Sequence, residues 1–296
     1  MPVSSLFGRL CFTPKTGRLS GTGASYPQPL AVTHEKTSLA SRLASSRLPV
    51  DDTTEADTKP SSAGELTSTK ECIFYFDWDD TLFPTTWLRR NNPGNKWYDP
   101  IHPSHPIAHQ LADLDYSVAE LLLKSSRLGK VVVISLARPP WIGMSMTNFF
   151  PTVEKVVEKL QIPVAYAMSE IQPGDVDGER LGVLLKSRAM LKHMKPGNSS
   201  AHFNQIISVG DSCFERYALH EAVQCGRKQP EKFRVHRDSL AKTVKLAEEP
   251  EAHEVHEQIK VLHAFLENMV DHPEDFDVNL SGGRFVPETA MLAHLL

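Results

Sequence analysis

Two carboxylates one residue apart, Asp77 and Asp79, follow the apolar run Phe74-Tyr75-Phe76 and precede Asp80 and Thr81. Charges this close repel each other, which favours protonation of one of them unless a cation lies between. A divalent ion resolves that conflict. Oxygen ligands from carboxylates, a backbone carbonyl and water suit magnesium, which also takes a phosphate oxygen. The pair can then divide one reaction. Asp77 would attack phosphorus to give an aspartyl-phosphate, while Asp79 would protonate the leaving oxygen and later deprotonate the attacking water. For an isolated Asp-x-Asp-x-Thr string, an acidic turn capping the next helix is the simpler reading, so the neighbouring elements must decide.

From Cys72 onward, short apolar runs alternate with segments of helical period, the pattern of an α/β domain with a mostly parallel sheet. Five runs have the length of strands buried on both faces: Cys72 to Phe76, Val131 to Ser135, Pro163 to Ala167, Ile206 to Val209 and Phe233 to His236. Ile107, Leu111, Leu114, Val118 and Leu121 form an amphipathic stripe with Pro106 at its start. Further helices are expected around Val153 to Leu160, Leu181 to Met194 and Glu215 to Val223. A long C-terminal helix is expected from Val255, Ile259, Leu262, Leu266 and Met269, its ordinary role being to cover the sheet. In an α/β sheet, reactive groups gather at the carboxyl ends of strands, where Asp77 and Asp79 fall.

In this company the chain resembles the haloacid dehalogenase-like superfamily, over about residues 72 to 236. The first motif is Asp77-Trp78-Asp79-Asp80-Thr81. The resemblance implies a nucleophile at Asp77, an acid/base at Asp79, a metal ligand from the Asp79 backbone carbonyl, and a supporting role for Thr81. The second Asp distinguishes the phosphatases of the superfamily from its dehalogenases. The second motif is Val131-Val132-Val133-Ile134-Ser135, where the Ser135 hydroxyl and the Leu136 backbone N–H would hold phosphoryl oxygens. Relatives often continue with Asn, whereas this chain reads Leu136-Ala137-Arg138-Pro139-Pro140-Trp141. Arg138 is either compensating positive charge or an ordinary surface arginine. For the third motif Lys186 is the best match, with Lys192 and Lys195 as alternatives; it would balance the carboxylates and bind the phosphoryl group. The fourth is Ile206 to Glu215, in which Asp211 would ligate Mg2+ with Asp77 and Asp79, and Glu215 would orient that ligand or the metal waters.

The resemblance implies a Rossmann-like three-layer sandwich with a mostly parallel sheet of about five strands. Residues 70–245 would form the catalytic core, 1–69 a disordered or targeting N-terminal tail, and 246–296 a C-terminal amphipathic helix and tail. Only a flap, Leu82 to Pro103, occupies the position of a first cap. An open, minimally capped site would admit a phosphoprotein or another bulky phosphomonoester. Two alternatives use the same residues: a catalytically weak scaffold, motivated by the altered loop after Ser135, and a phosphotransferase.

The remaining features narrow the field. A net charge of −4 over 296 residues gives no global reason to bind nucleic acid. The basic and aromatic residues Arg89, Arg90, Lys96, Trp87 and Trp97 are better explained as a flap beside the site. His253 and His256 lack the spacing of a zinc helix. The longest apolar runs fall far short of the roughly 18 residues of a spanning helix, so no membrane segment is expected. Cys11, Cys72, Cys213 and Cys225 form no C-x-x-C pair, which fits a reducing compartment and a cytoplasmic protein. The first fifty residues carry six Lys/Arg against the single acid Glu35. That composition resembles an organelle transit peptide, although an unstructured extension without an address is the simpler reading.

Overall fold

A computed structural model describes residues 71–280 apart from Asn95, Asp177 and 197–201, together with residues 286–287. The expected N-terminal tail, 1–69, lies outside the described residues, as does most of the chain after Leu280.

The centre is a sheet of six parallel strands: β1 (Cys72–Asp77), β2 (Lys130–Ser135), β3 (Val164–Tyr166), β4 (Phe203–Gly210), β5 (Val235–Lys245) and β6 (Phe276–Asn279). Their spatial order is β3-β2-β1-β4-β5-β6, with the two-residue β7 (Val286–Pro287) antiparallel on the β6 side. The strand order reverses between β1 and β4, and in doubly wound sheets such a switch point opens a crevice beyond the carboxyl ends of the strands. β1 lies inside the sheet with all six of its residues buried, which is why it reads as a continuous apolar run instead of an alternating one.

Seven α-helices are found among the described residues: α1 (Thr85–Asn91), α2 (Ala108–Leu128), α3 (Trp141–Phe149), α4 (Pro151–Leu160), α5 (Glu179–His193), α6 (Cys213–Lys228) and α7 (Ala252–Asp271). On one face of the sheet α5 and α6 pack together, and their Leu185, Ala189, Met190, Ala218, Leu219 and Ala222 meet Ile73 and Tyr75 of β1. Side chains alternate along a strand, so Phe74 and Phe76 point to the other face, where their rings lie 6.1 Å apart and nearly parallel. α2 packs there with α4 and α7. This is the expected three-layer α/β sandwich.

The expected mostly parallel sheet of about five strands has six parallel ones. It also continues past residue 245, because the C-terminal segment contributes β6 as well as a covering helix. The fifth strand is longer and later than Phe233 to His236: its pairing with β4 runs chiefly from Leu240 to Lys245. Lys242 and Thr243 interrupt the apolar pattern there, yet both are buried. The Lys242 ammonium reaches the carbonyls of Met269 (2.7 Å), Val270 (3.2 Å) and His272 (2.6 Å) at the end of α7, supplying donors to a helix end that lacks them.

Candidate active site at the β1/β4 switch point

The turn after β1 is built by its own sequence. The carbonyl of Trp78 accepts from the backbone N–H of Leu82 at 3.1 Å and Phe83 at 2.9 Å, and the Asp80 N–H donates to the Phe83 carbonyl at 2.7 Å. Asp80 takes the left-handed conformation, with φ of 54°. Among non-glycine residues Asp and Asn tolerate this region best. Its carboxylate accepts from the backbone N–H and hydroxyl of Thr86, tying the turn to the start of α1. The Trp78 indole is fully buried, lies parallel to Phe83 with centroids 5.7 Å apart, and donates to the Ser145 hydroxyl at 3.0 Å. The turn is therefore fixed to α3 from below.

Asp77 lies two residues beyond Tyr75 and so faces α5. The Tyr75 hydroxyl donates to the Met190 carbonyl at 2.9 Å, which sets α5 against β1. One helical turn earlier, Lys186 comes over Asp77: its ammonium donates to Asp77 Oδ1 at 2.7 Å and also contacts Glu215 Oε1. All three groups are buried. Of the three lysines considered for this role, Lys186 is thus the one that reaches the carboxylates. Lys192 instead pairs with Glu170.

Glu215 belongs to the capping box of α6. Ser212 is the N-cap, its hydroxyl accepting from the Phe214 N–H at 3.1 Å and donating to Glu215 Oε2 at 2.6 Å. Gly210 makes room for it, since a Cβ at that position would lie 2.2 Å from Glu215 Cγ. Glu215 therefore bridges Lys186 and the cap. The hydrogen bond to Asp211 comes instead from the buried Thr81, whose hydroxyl lies 3.4 Å from Oδ1.

Asp79 is held by three donors. Ser135 Oγ donates to Oδ2 at 2.7 Å, while Thr85 Oγ1 and Trp141 Nε1 donate to Oδ1 at 2.6 and 2.7 Å. Ser135, expected to hold phosphoryl oxygens, thus directs its hydroxyl at Asp79, and its oxygen accepts from the Ala137 N–H at 2.8 Å. Trp141 and Thr85 were not among the expected site residues. No periodicity marks Trp141. The available signal was a large aromatic donor closing a Pro-rich loop directly after a strand that ends at the site. Trp97, from the flap, rests on Trp141 with centroids 5.1 Å apart, and Arg89 stacks over Trp97 at 5.3 Å. Trp87 is buried and Arg90 pairs with Glu249 and Glu251, so the basic and aromatic residues of the flap do not form one surface.

The electrostatics of this cluster are lopsided. Burial pushes the Asp77 carboxyl well above the usual carboxylate range, helped by Glu215, Asp211 and Asp79 and opposed by Lys186. Burial and Glu215 push Asp211 up to about 7. Asp80 rises to about 6 through burial, against the hydrogen bonds from Thr86. Burial works against the Lys186 charge, but Asp77 and Glu215 outweigh it and hold the ammonium above its ordinary range. One ammonium thus faces an excess of carboxylates, and a divalent cation would relieve that excess. No group of three or more His, Cys, Asp or Glu side chains suited to holding a metal occurs among the described residues. The donor set fits magnesium, which binds through one or two carboxylates and completes its shell with carbonyl oxygen, water and substrate. The carboxylates of Asp77 and Asp211 are suited to hold such an ion.

The sequence matches no protein-family model, no curated protein and no solved structure.

Proposed function

We propose that this chain is a magnesium-dependent phosphomonoester hydrolase of the haloacid dehalogenase-like kind, working through an aspartyl-phosphate at Asp77. The observation that carries the reading is the contact of buried Lys186 with Asp77, next to an Asp79 carboxylate oriented by three donors, at the switch point of the sheet. An acidic turn that merely caps a helix has no use for a buried lysine drawn from a distant helix.

In this reading a carboxylate oxygen of Asp77 attacks phosphorus as the bond to the leaving oxygen breaks, and Asp79 gives that oxygen its proton. Water then attacks the phosphorus of the acyl phosphate and gives a proton to Asp79, the bond from phosphorus to the Asp77 oxygen breaks, and inorganic phosphate leaves with the Asp77 carboxylate restored. Lys186 stays charged throughout and offsets the negative charge gathering around Asp77. Mg2+, held by Asp77 and Asp211, would supply further charge stabilisation and a fixed point for the phosphate. Ser135, Thr85 and Trp141 keep Asp79 aimed.

A flap, Leu82 to Pro103, in place of a cap domain suits a phosphoprotein or another bulky phosphomonoester. Cys72, Cys213 and Cys225 are free thiols, and no helix among the described residues is long and apolar enough to cross a membrane. Both fit a protein of the cytoplasm. The test is phosphate release from p-nitrophenyl phosphate with and without Mg2+, for the native chain and for Asp77→Asn and Asp79→Asn. Release that requires Mg2+ and is lost in both variants is expected. Turnover indifferent to both substitutions would refute the assignment.

A further inference from the structure

Two of the four tryptophans, Trp78 and Trp87, are buried, whereas Trp97 and Trp141 are only half-buried. One of the half-buried indoles, Trp141, contacts Asp79, and the other, Trp97, packs on Trp141. Trp141 places its Nε1 2.7 Å from Asp79 Oδ1, and Trp97 lies against it with the planes tilted by 56°. Neither ring is loose. Phe83 meets Trp141 edge-on at 5.9 Å, Tyr98 meets Trp97 edge-on at 5.8 Å, and Arg89 lies over Trp97. The flap end is tied down by the Asn92 side-chain amide, which donates to the Trp97 carbonyl at 3.0 Å, and by the Asn148 amide, which donates to the Tyr98 carbonyl at 2.9 Å. The result is a fixed aromatic shelf with partly open surface, beside the carboxylate that the proposed reaction uses as its acid.

Geometry then constrains the substrate. A general acid must come within hydrogen-bond reach of the leaving oxygen. The first carbons of the leaving group therefore lie within a few ångströms of Asp79, to whose Oδ1 Trp141 donates and beside which Trp97 continues the aromatic surface. A polyhydroxylated leaving group would lose water there and meet indole faces in exchange, whereas a ring would pack on them in offset or edge-on fashion. We infer, on the basis of the function proposed above, that Trp97 and Trp141 select phosphomonoesters whose leaving group carries an aromatic ring close to the ester oxygen, Trp97 acting as the specificity-determining residue.

The experiment compares benzyl phosphate with propyl phosphate, both esters of simple primary alcohols, so that the ring is the main difference. With Mg2+ present, kcat/KM is expected to favour benzyl phosphate by roughly tenfold, the scale of one good aromatic contact. Trp97→Ala should reduce that ratio to about twofold, and Trp97→Phe should largely retain it. Equal kcat/KM for the two esters, or a ratio untouched by Trp97→Ala, would overturn the inference. Calorimetric titration with the non-hydrolysable phenethylphosphonate and butylphosphonate separates this result from failure of the hydrolase reading. Tighter binding of phenethylphosphonate that depends on Trp97, in a protein that turns over neither ester, would leave the aromatic subsite standing and remove the hydrolase. Indifference to the ring in binding would overturn the subsite as well.

Discussion

Replacing Asp211 by Asn in the metal-free protein should change how stability depends on pH, and by an amount the site itself sets. Burial and the neighbouring Glu215 move the Asp211 carboxyl from its usual 3.8 to about 7. Because the folded state holds this proton more tightly than the unfolded chain, the stability it contributes is complete below about pH 4. It is lost as pH rises toward 7, and the loss then levels off. At about 1.4 kcal/mol for each tenfold change in proton affinity, the full loss is about 4 kcal/mol. Asparagine does not titrate. Urea unfolding in EDTA should therefore show Asp211→Asn gaining on the native chain between pH 4 and pH 7, by up to about 4 kcal/mol. Mg2+ should offset much of that advantage, since a ligand that binds only the folded state at a hundred times its Kd contributes about 2.7 kcal/mol. The reasoning fails if the difference between the two proteins is flat from pH 4 to pH 8, or if Mg2+ stabilises both equally.

Trp141→Phe keeps an aromatic ring but removes the indole donor to Asp79; a hydrogen bond to a charged group is worth about 1.5–3 kcal/mol, so kcat for a phosphoester should fall roughly 10- to 100-fold with little change in KM. A kcat within twofold of the native value would show that Asp79 does not depend on that donor. Gly210→Ala would press a methyl group into Glu215; denaturant titration should register a loss of about 1–3 kcal/mol from overpacking, together with reduced turnover as Glu215 is pushed from Lys186. Lys242→Met should cost about 3 kcal/mol, because burial continues while the carbonyls of Met269, Val270 and His272 lose their donor. Turnover measured well below the unfolding transition should be unaffected by that change, since the contacts of Lys242 lie at the end of α7.

The elements nearest the site were the most legible in the sequence. β1, β2 and β4 are largely buried and flanked by helices, so the apolar stretches before their ends stand out and mark Asp77, Ser135 and Asp211 directly. Lys186 could be matched only by its place before β4, and two other lysines competed until the structure placed its ammonium between Asp77 and Glu215. β5 was misplaced because its pairing residues include Lys242, and an apolar-run criterion treats a lysine as the end of a strand. Only a tertiary contact, the carbonyls closing α7, makes that lysine a core residue. β6 has just four residues, with alternating burial, too short to stand out from a loop. Trp141 was passed over for a related reason. The Pro-rich loop after Ser135 departs from the resembled pattern and suggested weakened chemistry, whereas folding carries its indole N–H back to the carboxylate that Ser135 also contacts.

That loop bears on whether the site is a relic or a working centre. Asp77, Asp211 and Glu215 crowd around one lysine, an arrangement that costs stability wherever no cation is present. A scaffold free to drift could relieve the strain by a single amide substitution at any of the three. This chain instead adds supports around the cluster. The left-handed turn at Asp80 is locked by Thr86, the Trp78 indole is anchored on Ser145, and Gly210 leaves the space that Glu215 fills. Asp79 has three donors from three separate segments. Donors placed this way fix the position of the carboxylate. The departure after Ser135 then reads as a replacement of one set of contacts by another, with an indole N–H held on Asp79.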